Sequence, residues 1–210
     1  MGLNVGGYEV NSSVAKSFGY NDIINNGLKV YLEASATESY PTNGATWYDI
    51  IGNYNGTLNN SPTYNSGLDE NIQLNGSNQS VDLGSFFTYN YFTISLWVNA
   101  GSSQNQYDFT VIGASNYSTT GFFTLTANTW THLSFTFDND KVRGYINSSI
   151  FGTGASCTPN WTSQYLRLGQ WGGGGRNWNG KYGNLMIYDR ALTATEISHN
   201  YNIQKSRFGL

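Results

Sequence analysis

Charge is what this chain of 210 residues has least of. Only 11% of its residues are Asp, Glu, Lys or Arg, about half the usual share, and together they leave a net charge of −3. No stretch concentrates Lys or Arg, so the electrostatic attraction that dominates nucleic-acid affinity is missing and neither DNA nor RNA is an expected partner. Cys157 is the single cysteine. That excludes an intrachain disulfide and a Cys-rich zinc site, and leaves the thiol the role of a small filler. No run approaches the roughly 18 apolar residues of a membrane-spanning helix. Residues Met1 to Val14 lack the basic and apolar regions of a secretory signal, so neither membrane association nor signal-directed export is expected. The Asn-x-Ser/Thr triplets at Asn55, Asn116 and Asn160 are then products of an Asn-, Ser- and Thr-rich composition rather than glycan acceptors.

Aromatic residues, by contrast, make up 16% of the chain and run along its whole length, as a packed core requires and a disordered chain lacks. A chain this long can bury most of its apolar surface, so one domain needing no disulfide or metal is expected. Residues 1–26 carry sparse apolar positions without strand-like alternation and are read as an N-terminal arm, either frayed or ordered by docking on a neighbour. In that arm Tyr8, Val10, Phe18, Tyr20 and Ile23, with Val14 and Ile24, are the candidate assembly residues. The domain proper is placed at 27–210.

From Leu28 onward short alternating runs recur between Gly, Asn, Asp and Pro. The clearest is Phe92 to Val98, with Phe92, Ile94, Leu96 and Val98 on a core face and Thr93, Ser95 and Trp97 on the other. Further strands are expected at Tyr107 to Ile112, Gly121 to Leu125, Thr131 to Phe137, Val142 to Asn147, Tyr165 to Leu168 and Gly183 to Tyr188, with Asp138-Asn139-Asp140 as a hairpin loop. Ten or so such strands indicate an all-β fold of two packed antiparallel sheets, with a barrel as the alternative. One helix is expected near the C-terminus, where Thr193 and Glu196 form a capping box and Ala194, Ile197 and Tyr201 share a face that packs on the sandwich edge.

The order of these segments resembles the laminin-G-like, concanavalin A-like lectin jelly roll over about residues 27 to 206. The stations are Trp47-Tyr48-Asp49-Ile50 with the Asn/Gly turn through Asn55-Gly56-Thr57, Ile72-Gln73-Leu74-Asn75-Gly76, the strand bearing Trp97, Trp130-Thr131-His132-Leu133, and Trp178 through Tyr188-Asp189-Arg190-Ala191-Leu192-Thr193. The first segment and the ending Asn200 to Gly209 look most like copies found in tailed-bacteriophage virion proteins. This resemblance implies a non-catalytic decoration or fibre-associated protein on the surface of a virus particle. Its partners would be other capsid or tail proteins, or further copies of itself, and a cell-surface glycan. A carbohydrate-binding adhesion module on a viral or bacterial surface protein is the alternative.

Glycosidases on this fold need two carboxylates facing across a cleft, and no strand here carries Glu and Asp at alternating positions. Asp69 and Glu70 are adjacent in a loop-like stretch, and His132 belongs to a packed station, so no catalytic residue is expected. No cofactor is required. Relatives often hold Ca²⁺, and here Asp49, Asn53 and Asn55, with Glu33 and Asp189 closing the shell, are the candidate ligands; the alternative is that Asp49 and Asn53 bond the backbone of a tight turn. For sugar, the glycine-rich stretch from Gln170 to Trp178 offers Trp171 as a stacking platform and Arg176 and Asn177 as donors, with Trp161 and Tyr165 as further candidates.

Overall fold

The computed structural model describes residues 3–5, 8–10, 22–85, 88–102, 104–106, 123–154, 156, 166–170 and 177–210. In chain order the strands are β1 (Leu3–Val5), β2 (Tyr8–Val10), β3 (Leu28–Glu33), β4 (Thr46–Trp47), β5 (Gly56–Asn59), β6 (Thr63–Asn65), β7 (Asn71–Asn75) and β8 (Ser80–Gly84). They continue as β9 (Phe92–Ala100), β10 (Gln104–Gln106), β11 (Phe123–Leu125), β12 (Trp130–Phe137), β13 (Val142–Ile146), β14 (Ser149–Thr153), β15 (Leu166–Leu168) and β16 (Asn179–Tyr188). Helix α1 (Ala194–Gln204) follows and ends in a 3-10 turn, Lys205–Phe208.

Two antiparallel sheets form the sandwich that the alternation predicts. The larger has eight strands, in the order β14-β13-β12-β9-β16-β7-β6, with β3 also beside β16; the smaller runs β15-β8-β5-β4. Inward residues of both sheets meet in one core, Ile94, Leu96, Val98 and Leu133 from the larger against Trp47, Leu58, Val81 and Leu168 from the smaller. The separate two-stranded sheets β1-β2 and β10-β11 belong to neither layer. Asn139, at φ 68°, turns the loop between β12 and β13, as the Asp-Asn-Asp composition predicts. Tyr107 to Ile112, and Gly121 with Phe122, lie outside the described residues.

Two expectations change. All nine residues of β9 are buried, including Thr93, Ser95 and Trp97 on the face opposite the core. The reason is the position of α1 and the 3-10 turn, which lie on the outer face of the larger sheet rather than at its edge. Trp97 stacks on Phe208 with ring centres 4.2 Å apart and donates its Nε1–H to Gln204 Oε1 at 2.9 Å. The second change concerns the arm. Ile23 is 3% exposed and packs with Leu28, Tyr188 and Ile197, while the Ile24 amide donates to Asn200 Oδ1. Ile23 is therefore a core residue and cannot serve a neighbouring chain, and the packed unit takes in residues 22–26.

Candidate functional site

Along one open edge of the sandwich, between the β4-β5 edge of the smaller sheet and β6 of the larger, lies a cleft of about 530 Å³. Tyr40 and Tyr64 form its aromatic wall, their ring centres 5.1 Å apart and tilted by 43°. Leu58 and Ala45 supply apolar surface, and Thr42, Gly44, Ser61 and Pro62 make a rim without charge. Both phenols are anchored. Tyr40 donates its O–H to the Gly44 carbonyl at 3.1 Å and Tyr64 to Glu70 Oε1 at 3.2 Å. Burial pushes the Tyr64 phenol up to about 12, with the Glu70 charge adding to it, and burial also raises that of Tyr40. Both rings are neutral hydroxyl groups at physiological pH.

The rim holds unusual backbone. Thr42, Asn60 and Ser61 take left-handed φ values of 67°, 60° and 54°. Such conformations are costly for residues with a Cβ and persist only where the surroundings enforce them. For Asn60 and Ser61 the enforcement is visible: the Gln79 amide donates to their carbonyls at 3.0 and 2.8 Å, and Asn60 Nδ2 donates to the Asn78 carbonyl at 2.6 Å. The loop before β6 is thereby clamped to the loop before β8 and holds its shape before any ligand arrives.

The candidate calcium ligands are only partly brought together, and their oxygens are already engaged. Asp49 accepts backbone N–H bonds from Tyr31, Ile51, Asn53 and Tyr54, two on each carboxylate oxygen, at 2.8 to 3.0 Å. Burial raises its pKa while these four donors pull it down. Asn55 Oδ1 accepts from the Asp49 amide, Asn53 Nδ2 donates to the Lys29 carbonyl, and Asp189 pairs with Lys29 at 3.0 Å. Glu33 is fully buried elsewhere, against Arg207, Tyr31 and Ser35. Ca²⁺ wants six to eight convergent oxygens. These five residues do not offer them, and among the described residues no three acidic, His or Cys side chains gather in a metal-binding group. The tight-turn alternative is the one the geometry favours for Asp49.

Of the candidate sugar contacts, Trp161, Tyr165, Trp171 and Arg176 lie outside the described residues. Asn177 sits in a bridge with Gln170, whose amide donates to its Oδ1 at 3.2 Å. Tyr8 and Val10 lie on β2, in register with Val5 and Leu3; Phe18 and Tyr20 lie outside the described residues. His132 is fully buried, as its packed station predicts, with Nε2 2.8 Å from Ser95 Oγ. Asp69 and Glu70 hold side chains in place, Asp69 accepting from Trp130 Nε1 at 2.9 Å and Glu70 from Tyr64.

Residues 100–198 match the sequence profile of the concanavalin A-like lectin/glucanases superfamily. Among solved structures, domain 4 of AbnA, an extracellular arabinanase of Geobacillus stearothermophilus in complex with arabinotriose, superposes with a TM-score of 0.63 at 19% identity, over 84% of this chain and 98% of that one. The fold is concanavalin A-like. Two further likenesses are partial on the other side. Trypanosoma rangeli sialidase in complex with sialic acid gives a TM-score of 0.60 at 16% identity over 86% of this chain, which spans 33% of that protein. The botulinum neurotoxin type G receptor-binding domain gives 0.60 at 17% identity over 85% of this chain and 52% of that one. No curated protein matches by sequence.

Within this concanavalin A-like sandwich the tyrosine cleft is what sequence reading missed. Tyr40 and Tyr64 belong to segments that β4 and β5 separate in the chain, and only sheet pairing brings them together. The local signal was the left-handed clustering hinted at by Pro41-Thr42-Asn43-Gly44 and Asn59-Asn60-Ser61-Pro62, two Asn- and Pro-bearing turns that end up on the same rim.

Proposed function

We propose that the chain is a non-catalytic carbohydrate-binding module and that the sugar docks in the cleft of Tyr40 and Tyr64. The observation that carries this reading is a preorganised pair of neutral, anchored tyrosines beside an uncharged hydroxyl- and carbonyl-bearing rim. The half-buried Tyr64 ring, braced by the 4%-exposed Tyr40, can cover the apolar face of a sugar ring, and fixed oxygens receive its hydroxyls. The likeness to an arabinanase domain in complex with arabinotriose over nearly the whole of that domain supports the same reading. No carboxylate lines the cleft, which supports binding without hydrolysis.

The test is a glycan array followed by calorimetry, beginning with arabinotriose. Tyr64→Ala should lower affinity for any bound oligosaccharide at least tenfold while leaving the domain folded. Unchanged binding in Tyr64→Ala together with loss in Trp171→Ala would move the site to the glycine-rich loop.

The setting we propose is the surface of a virus particle, with residues 1–21 as the anchor. The β1-β2 hairpin favours an anchor because it forms its own two-stranded sheet apart from the sandwich. Removing residues 1–21 should leave a folded domain that no longer co-sediments with particles; a cut after residue 24 would also strip Ile23 from the core and confuse the result.

A further inference from the structure

We infer that the cleft takes neutral, hydroxyl-rich sugars and rejects sugars bearing a carboxylate, with Glu70 as the residue that sets this selectivity. This rests on the reading of the cleft as the sugar site. The argument starts from where the phenolic protons go. The Tyr64 proton is committed to Glu70 Oε1 and the Tyr40 proton to the Gly44 carbonyl. With its proton so engaged, the phenol oxygen of the half-buried Tyr64 is left with lone pairs to accept a further bond and no proton to donate, while Tyr40 is 4% exposed and backs the Tyr64 ring. A sugar hydroxyl can donate to such an oxygen, whereas an ionised carboxylate accepts only.

The charges around the wall point the same way. No lining residue is charged, so nothing in the cleft balances an incoming anion. The Glu70 carboxylate accepts from the Tyr64 phenol and so brings a negative charge to the wall. Among the described residues Arg207 is the cation bonded to Glu70, and it is 4% exposed at the side chain, with its guanidinium engaged by the Glu33 carboxylate and the Glu70 carbonyl. It is not presented to the cleft. A carboxylate entering beside Tyr64 would lose hydration and meet acceptor oxygens backed by a like charge, a pairing that disfavours binding more than it shifts position.

The experiment uses the full chain and matched trisaccharides that differ only at C6: galactotriose against trigalacturonic acid, and cellotriose against triglucuronic acid, with arabinotriose alongside. Calorimetry at low salt compares wild type with Glu70→Gln and Tyr64→Phe. The expected result is that neutral members bind at least tenfold tighter than their acidic counterparts and that Glu70→Gln narrows this gap severalfold. Tyr64→Phe, which keeps the ring and loses the acceptor oxygen, should weaken the neutral ligands. Should Glu70→Gln melt below the assay temperature, raising ionic strength on wild type replaces it, since screening must narrow the same gap. Equal or tighter binding of the acidic members, abolished by Tyr64→Ala, would overturn the selectivity while leaving the cleft as the sugar site. Binding of acidic and neutral sugars alike that ignores Tyr64→Ala, or no binding across the panel, would overturn both.

Discussion

The carboxylate of Asp49 accepts backbone N–H bonds from Tyr31, Ile51, Asn53 and Tyr54, so it ties the turn after β4 to the first strand of the sandwich. Hydrogen bonds to a charged acceptor contribute more than neutral ones, and Asp49→Ala orphans four donors at once, so a loss of about 3 kcal/mol or more is expected in urea denaturation. Chelator should leave the melting temperature of wild type unchanged, because these oxygens serve the backbone. His132 makes a different prediction. Burial holds its imidazole at about 3 in the folded chain, against an ordinary value of 6.5. Between those two values the unfolded chain binds a proton that the folded chain does not, so stability falls as pH drops from about 6.5 toward 3 and is insensitive to this group above 6.5. Melting temperatures across pH 3 to 8 should show that decline, and His132→Gln should flatten it. A slope unchanged by the substitution would assign the decline to carboxylates such as Glu196, whose pKa the Arg190 pairing lowers to about 2.

At the scale of elements, α1 was legible from its own sequence. Thr193 Oγ1 accepts the Glu196 amide at 3.2 Å and Glu196 Oε2 accepts the Thr193 amide at 2.8 Å, the reciprocal bonds that the Thr-x-x-Glu spacing predicts. What α1 covers was not legible, because the moment of a short polar helix does not say which surface receives it. The signal lay instead in β9, where Trp97 interrupts an otherwise small polar face of Thr93 and Ser95. A large aromatic on a solvent-facing row is an invitation to a second layer, and alternation alone assigns it to the outside. Gly183 on β16 shows how closely that layer sits: a Cβ there would lie 2.6 Å from the Phe208 ring. Thr193→Ala is expected to cost about 1 kcal/mol through the lost cap. Gly183→Val should cost more than Thr193→Ala, with tryptophan fluorescence shifting to the red as Phe208 is pushed off Trp97. Equal midpoints for the two variants would mean that the 3-10 turn moves aside freely.

Across the whole molecule, the chain closes on itself through Glu33 at the end of β3 and Arg207 in the final turn, a pair whose side chains are 1% and 4% exposed. Neither residue announces this in the sequence. Glu33 was expected as a calcium ligand and Arg207 only as part of the chain's ending, since a partner so far along the chain can be found only once the helix is laid on the sheet. Glu33 Oε1 accepts from Ser35 N, Ser35 Oγ and Arg207 and Oε2 accepts from Tyr31 Oη, so its charge is shared among neutral donors and a single cation. Removing one member of a buried pair leaves the other uncompensated, and Arg207→Ala should lose about 3 to 5 kcal/mol. Replacing both, as Glu33→Gln with Arg207→Met, removes the stranded charge while keeping volume, so the double variant should be more stable than Arg207→Ala. Arg207 also donates to the Glu70 carbonyl beside the cleft, so the same variants bear on the distant site. If the closure of the terminal turn positions Glu70, Arg207→Ala should weaken oligosaccharide binding even at temperatures where the domain remains folded. Binding that survives in Arg207→Ala at full strength would show that the cleft is held by its own loops, through Gln79 and Asn60, and not by the end of the chain.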